Sequence, residues 1–298
     1  MKSLNLSCSP HIRDNITTRA IMLDVLVALA PALAASVLIF GGRALLVSVV
    51  CVVCAVASEY LFEKGVKRPV TITDLSAAVT GLLLAFCLPV SIPLWMAGLG
   101  SVIAIVVVKQ LFGGIGKNFA NPAITARILL LVSFGGAMTT WTIDGVSSAT
   151  PLGGGSLPSL ANFFLGLHAG SLGETCTVAL LLGGAYLLVR RVITWHIPVA
   201  YIGSVVLFTL AAGQDLSLQI LGGGLMLGAF FMATDYSSSP TTSSGKLIYG
   251  VGCGLLTMII RIWGSAPEGV SYAILLMNIV APHIDRLTRT MPLGGDLA

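Results

Sequence analysis

The sequence predicts an all-α, polytopic membrane protein of about ten transmembrane helices. Three observations carry that prediction. Hydrophobic residues make up 56% of the chain and charged residues 9%, whereas a soluble domain is about 25% charged. The apolar residues gather into runs near the roughly 20 residues that cross a hydrocarbon core, and mean hydropathy is +0.96. Glycine occurs 34 times, which suits helices that approach closely in lipid.

Taken in order, the expected spans are residues 20–40, 44–62, 72–90, 94–112, 120–138, 174–189, 197–213, 218–234, 246–263 and 271–285. Pro89 and Pro93 bracket one break, and Gly113-Gly114-Ile115-Gly116 makes another. No cleavable signal peptide is expected, because Met1 to Arg19 is polar and no small-residue cleavage site follows the first apolar run. Ten crossings put both termini on one side. Loops on that side hold Lys2, Arg13, Arg19, Lys64, Lys67, Arg68, Lys109, Lys117, Arg190, Arg191, Lys246, Arg286 and Arg289; Arg43, Arg127 and Arg261 fall elsewhere. The positive-inside rule then makes both termini cytoplasmic and the loop 139–173 external.

Several chemistries are excluded or left without support. The net charge of +4 reads as membrane orientation; no basic patch is interleaved with exposed aromatics, as nucleic-acid binding would require. Cys51-Val-Val-Cys54 has redox spacing, but it lies mid-span and no His follows it, so these read as small apolar helix residues. His168 and His196 lack a second ligand at metal spacing. No P-loop is present.

An internal repeat is expected. Asn121-Pro-Ala-Ile-Thr-Ala-Arg-Ile-Leu-Leu-Leu resembles the run from Glu268 to Asn278, and Gly81-Leu-Leu-Leu-Ala-Phe resembles Gly224-Leu-Met-Leu-Gly-Ala-Phe. Chance similarity among Leu/Ala/Gly-rich helices is the other reading. Two five-helix halves, 1–138 and 174–298, must be inverted relative to one another, with 139–173 as an external loop between them. Inverted repeats enclose sites near the midplane, lined by broken helices. The paired breaks expected here are 113–116 and Pro267-Glu268-Gly269.

Between the fifth and sixth spans runs Asp144-Gly145-Val146-Ser147-Ser148-Ala149-Thr150-Pro151-Leu152. A Ser/Thr-rich external loop ending in proline is one reading. The pattern Asp-Gly-x-Ser-x-Ala-Thr also resembles the flavinylation motif of the RnfD/NqrB family of Rnf and Nqr complexes. Three further segments resemble the same family: Gly113 to Ala123, Met232 to Pro240 with Gly245-Lys246, and Pro267 to Asn278 with Pro282 and Asp285. About twenty residues precede the first span, against a longer extension in the Nqr relatives, which favours Rnf.

The resemblance implies an electron-carrying subunit of an ion-translocating ferredoxin–NAD oxidoreductase in a bacterial or archaeal plasma membrane. It implies FMN joined to Thr150 by a phosphoester, with Asp144, Ser147, Ser148, Ala149 and Pro151 around it, and a second, non-covalent flavin (riboflavin). It further implies partners: a second FMN-bearing subunit, iron–sulfur subunits that this chain has no sequence to replace, and a flavin transferase. The residues agree with the chemistry. Ser147 and Ser148 offer hydroxyls to phosphate, and Gly153 to Gly155 allow close backbone approach. Thr234 to Ser244 either closes a cytoplasmic cofactor pocket or is a solvated loop.

Asp24, Glu59, Asp74, Arg127, Glu174 and Asp235 lie in or near the spans, and each needs a partner or water. Arg127 reads as a contact to flavin, phosphate or a neighbouring subunit, or as a structural ion pair. Asn121 and Asn278 read as the lining of a polar cavity, or as interhelical hydrogen-bonding groups. The competing functions are an NqrB-like component of a sodium-pumping NADH–quinone oxidoreductase, a channel or transporter of inverted-repeat fold, and a structural anchor. Thr150 discriminates against the last two, which have no use for a flavinylation segment.

Overall fold

A computed structural model describes residues 17–143, 146–147, 150–155, 159–174, 176–264 and 269–289. The chain enters helix α1 (Thr18–Phe40) through Thr17, whose hydroxyl accepts from the Ala20 N–H. It leaves through Gly41, at φ +74° and ψ −164°, a conformation open to glycine alone, and α2 (Gly42–Gly65) begins at the next residue. A single glycine thus reverses the first hairpin.

The third span is interrupted where it begins. A 3-10 turn (Ile72–Asp74) ends at Leu75, which is left-handed at φ +66°, before α3 (Ser76–Phe86). Asp74 Oδ1 holds this break by accepting from the N–H and the hydroxyl of Ser76. Helix α4 (Leu94–Val102) continues as a π-helix over Ile103–Gln110. The wider π turn turns Lys109 and Gln110 inward, and both are 2% exposed. Asn121 caps α5 (Pro122–Ser133), accepting from the N–H groups of Ala123 and Ile124; a short α6 (Gly135–Met138) follows.

The connecting region holds a two-residue hairpin, β1 (Thr142–Ile143) paired antiparallel with β2 (Val146–Ser147), and α7 (Leu160–Leu165). Then come α8 (Thr177–Val189) and α9 (His196–Ala211). The eighth span is broken: α10 (Leu216–Leu221), the bend at Gly222–Gly224, α11 (Leu225–Leu227) and a π segment at Gly228–Met232. Helices α12 (Ser243–Trp263) and α13 (Val270–Thr288) complete the bundle.

Small residues set the tightest crossings. A Cβ on Gly183 of α8 would stand 2.1 Å from the Ala28 carbonyl oxygen of α1. One on Gly254 of α12 would meet Ser204 Oγ at 1.8 Å and Tyr201 O at 2.9 Å on α9. Close backbone approach is how helices associate without a hydrophobic drive between them. Helix α1 packs on α8, and α5 on α13.

The all-α, polytopic reading holds, and each expected span has its helix. Among the described residues, only α1, α2 and α12 are long and apolar enough to cross a membrane as single helices. The spans read as 72–90 and 218–234 are shorter or broken, because Leu75 and Gly224 adopt left-handed backbone that stops a helix. The span read as 120–138 divides at Phe134. Residues 265–268, including Pro267 and Glu268, lie outside the described residues.

Candidate functional site

The contacts sort the bundle into two ends. At one end, Arg43 donates to the carbonyls of Val90, Ser91 and Ile92, and Ser91 donates to Thr140 O. There Leu172 and Gly173 donate to Leu88 O and Phe86 O, extending the end of α3. At the other end stand Glu63, Arg68, Lys109 and the segment after Met232.

Thr150 belongs to the first end. It caps a 3-10 turn at Pro151–Gly153. Its Oγ1 accepts from the Gly153 N–H at 3.1 Å, and its carbonyl accepts from Gly153 and Gly155. Gly154 is left-handed at φ +88°, with nothing within 4 Å of where a Cβ would stand. The turn is anchored by Leu152, which packs against Gly222 and Gly223 at the break in the eighth span. That break is clamped from the other side by Arg261, which donates to the carbonyls of Gln219, Gly222 and Gly223.

Esterification of a threonine hydroxyl calls for an accessible side chain, yet Thr150 is 8% exposed and Pro151 is buried. The reason is the cap itself, which turns the side chain back onto the 3-10 turn. As a group to esterify, the hydroxyl still fits: among the described residues it serves only as an acceptor, so its O–H remains unspent. Asp144, Ser148 and Ala149 lie outside the described residues, as does the side chain of Ser147.

At the opposite end is a cavity of about 580 Å³, within the usual range for cofactor sites. Its walls are apolar on α1, α3 and the second π segment, through Met22, Val79, Leu83, Phe230 and Phe231. Its polar groups include Ser76, Lys109, Asn118, Asn121, Asp235 and Asp285. Thr234, Asp235, Tyr236, Ser237, Ser239 and Thr241 all line it, so the first part of the Ser/Thr-rich stretch forms a wall of the cavity. Asn118 Oδ1 is buried there without a partner among the described residues. Asp235 accepts from the hydroxyls of Ser237 and Ser238; burial pushes its carboxyl above the usual carboxylate range against the pull of those donors.

The structure therefore separates residues the sequence grouped together. Asn121 lines the cavity and donates to Met232 O, while Thr150 lies at the other end. Arg127, six residues along α5 from Asn121, is buried and donates to Ser271 Oγ of α13 at 2.6 Å. Sequence reading missed Lys109, Ser76 and Asn118. Lys109 was counted as a loop charge, although the run Val106-Val107-Val108-Lys109 placed it inside an apolar segment.

The chain is matched over residues 5–294 by the model of the NQR2, RnfD, RnfE family. It belongs to that family. It is 49% identical, over 97% of its length and 95% of the relative's, to the D subunit of the Na(+)-translocating ferredoxin:NAD(+) oxidoreductase complex of Acetobacterium woodii. It is 44% identical, over 97% of its length and 96% of the relative's, to the D subunit of the proton-translocating ferredoxin:NAD(+) oxidoreductase complex of Clostridium ljungdahlii. The D subunit of an ion-translocating oxidoreductase complex of Marinobacter nauticus is 40% identical, covering 94% of this chain and 92% of its own. Family members so named are subunits of redox enzyme complexes, and the all-helical, apolar architecture described above is that of a membrane subunit.

Proposed function

We propose that this chain carries electrons within a cation-translocating ferredoxin–NAD oxidoreductase of Rnf type. In this reading FMN is esterified to Thr150 and a second, non-covalent flavin occupies the 580 Å³ cavity. The observation that carries it is Thr150 itself: the terminal threonine of Asp-Gly-x-Ser-x-Ala-Thr heads an anchored turn, and its O–H is not spent on the described residues.

The flavins supply one- and two-electron chemistry when bound. The chain's residues hold and position them. Gly153 and Gly155 present N–H groups at the Thr150 turn, Leu152 fixes that turn to the bundle, and Asn118 Oδ1 offers the cavity's occupant an unmet acceptor. The names of the first two relatives above differ in the cation, sodium in one and proton in the other. What they share, ferredoxin-to-NAD electron flow driving cation movement, is what we assign here. Iron–sulfur subunits, a second FMN-bearing subunit and a flavin transferase complete the assembly.

In the membrane, the Thr150 end faces outward and the cavity end faces the cytoplasm. Lys64, Lys67, Arg68, Lys117, Arg190, Arg191 and Lys246 support this, since they flank elements at the cavity end. Exposed Trp95 and Trp263 toward one end, and Trp195 toward the other, suit the two interfaces. Residues 1–138 and 174–298 form the two inverted halves. Packing of α1 on α8 and of α5 on α13 pairs first helix with first and last with last. Each third helix also resumes just after a left-handed residue, Leu75 or Gly224. In-gel flavin fluorescence of the denatured chain tests the covalent assignment directly; a dark band from a host with an active flavin transferase defeats it.

A further inference from the structure

Lys109 is a buried cation at the wall of the cavity. Its Nζ donates to Glu59 Oε1 at 2.5 Å and to Ser76 Oγ at 2.6 Å. An ammonium carries three N–H donors, so one is left, and among the described residues no protein group takes it. The position is built: Glu59 is fully buried, Gln110 Nε2 donates to the same Glu59 oxygen at 2.7 Å, and Ser76 is fixed by Asp74. A π-helical turn, not an ordinary one, brings Lys109 to this wall. In so dry a place a charge acts strongly on whatever occupies the cavity.

An oxidised flavin ring is uncharged. It becomes negative at its N1 and C2 carbonyl edge when it takes up an electron without a proton. We propose that Lys109 is the residue that stabilises this negative charge, through its third N–H, on a flavin ring bound in the cavity. The inference rests on the second-flavin reading above. In the step concerned, one electron passes to the ring from the reduced electron carrier upstream, which is oxidised by one electron. No bond breaks, and the ammonium balances the charge in place of a proton. Glu59 tempers the effect, because its carboxylate offsets part of the Lys109 charge.

The test uses the assembled complex with Lys109→Met, Lys109→Arg or Glu59→Gln in this chain. Two quantities are measured: acid-extractable flavin per complex, and the midpoint potential of that flavin by optical titration. Lys109→Met should keep the flavin yet lose about tenfold in preference for the reduced form, a potential lower by about 59 mV for a one-electron step. Lys109→Arg should stay near the parent. Glu59→Gln should move the potential upward, because it leaves the cation uncompensated; that sign decides the matter if Lys109→Met fails to assemble. Retained flavin with unchanged potentials in Lys109→Met and Glu59→Gln overturns the role of Lys109. A parent complex with no extractable flavin overturns the second-flavin reading instead, and the proposal with it.

Discussion

The backbone N–H of Asn121 meets the side-chain amide oxygen of Asn278 at 3.0 Å. The amide orientation follows from the network: with the oxygen turned to Asn121, the two N–H groups of Asn278 face three acceptors, Tyr249 Oη at 2.6 Å, Ser238 O at 3.2 Å and Ile274 O at 3.3 Å. The Asn121 side chain accepts from the first N–H groups of α5 and donates to Met232 O. Two asparagines thus tie α5, α12, α13 and the chain after the second π segment together beside the cavity. Of the two readings the sequence allowed, Asn121 takes both roles, while Asn278 is an interhelical hydrogen-bonding group.

Asn121→Leu should therefore impair electron transfer through the complex while leaving the Thr150 adduct intact. The substitution removes the cap of α5, worth about 1 kcal/mol, and unpairs Met232 O at the cavity. The expected result is less extractable flavin and slower turnover, with unchanged covalent flavin by intact mass. Normal turnover in an assembled complex would show the region to be structural only.

Thr150→Val should abolish the flavin adduct, because it removes the hydroxyl at the head of the turn while keeping the side chain's shape. Thr150→Ser should retain part of it. Intact-mass spectrometry of the chain from a host with an active flavin transferase reads both. An adduct that survives Thr150→Val would place the ester elsewhere, with Ser147 and Ser148 the nearest hydroxyls in the motif.

The orientation can be read by cysteine accessibility. Ser159, the exposed cap of α7, and Ser244, exposed in the first turn of α12, lie toward opposite ends. A membrane-impermeant thiol reagent should label Ser159→Cys in intact cells and Ser244→Cys only in inverted vesicles, each above the parent chain's background. The reverse pattern would invert the topology.

The sequence makes the helices legible because lipid imposes a long apolar run on each one, and that constraint is one-dimensional. It singles out Thr150 as a candidate as well, since a motif is local. The cavity is harder to read. Lys109 faces it because eight residues adopt π geometry, and no property of Ile103–Gln110 announces the change of pitch. Its partner Glu59 stands fifty residues earlier, on α2. Glu59 was visible as a charge inside a span that needed a partner; which cation answers it depends on how α2 and α4 rotate against each other. The break at Leu75 is hidden for a related reason. A leucine in left-handed backbone is disfavoured locally, and here the Asp74–Ser76 bonds flank it on both sides.

The α1–α8 crossing yields the last prediction. Gly183 lies where α8 touches the Ala28 carbonyl, and an added Cβ would also stand 2.9 Å from Phe231 Cζ. The first obstacle is backbone, which cannot swing aside as a side chain would. Gly183→Val should therefore force the two helices apart, at a cost of about 1–3 kcal/mol or more for an overpacked core. The same crossing is tied near the cavity end by Asp24, which accepts from Tyr186 Oη at 2.9 Å and pairs with Arg190 at 3.2 Å. A shift there moves Phe231 and Leu187, which line the cavity. The variant should thus unfold at lower temperature in detergent and hold less extractable flavin, whereas Gly203→Ala on α9, with no atoms within 4 Å of its Cβ position, should change neither. Equal thermal stability for Gly183→Val and the parent would mean that α1 and α8 do not cross at these residues.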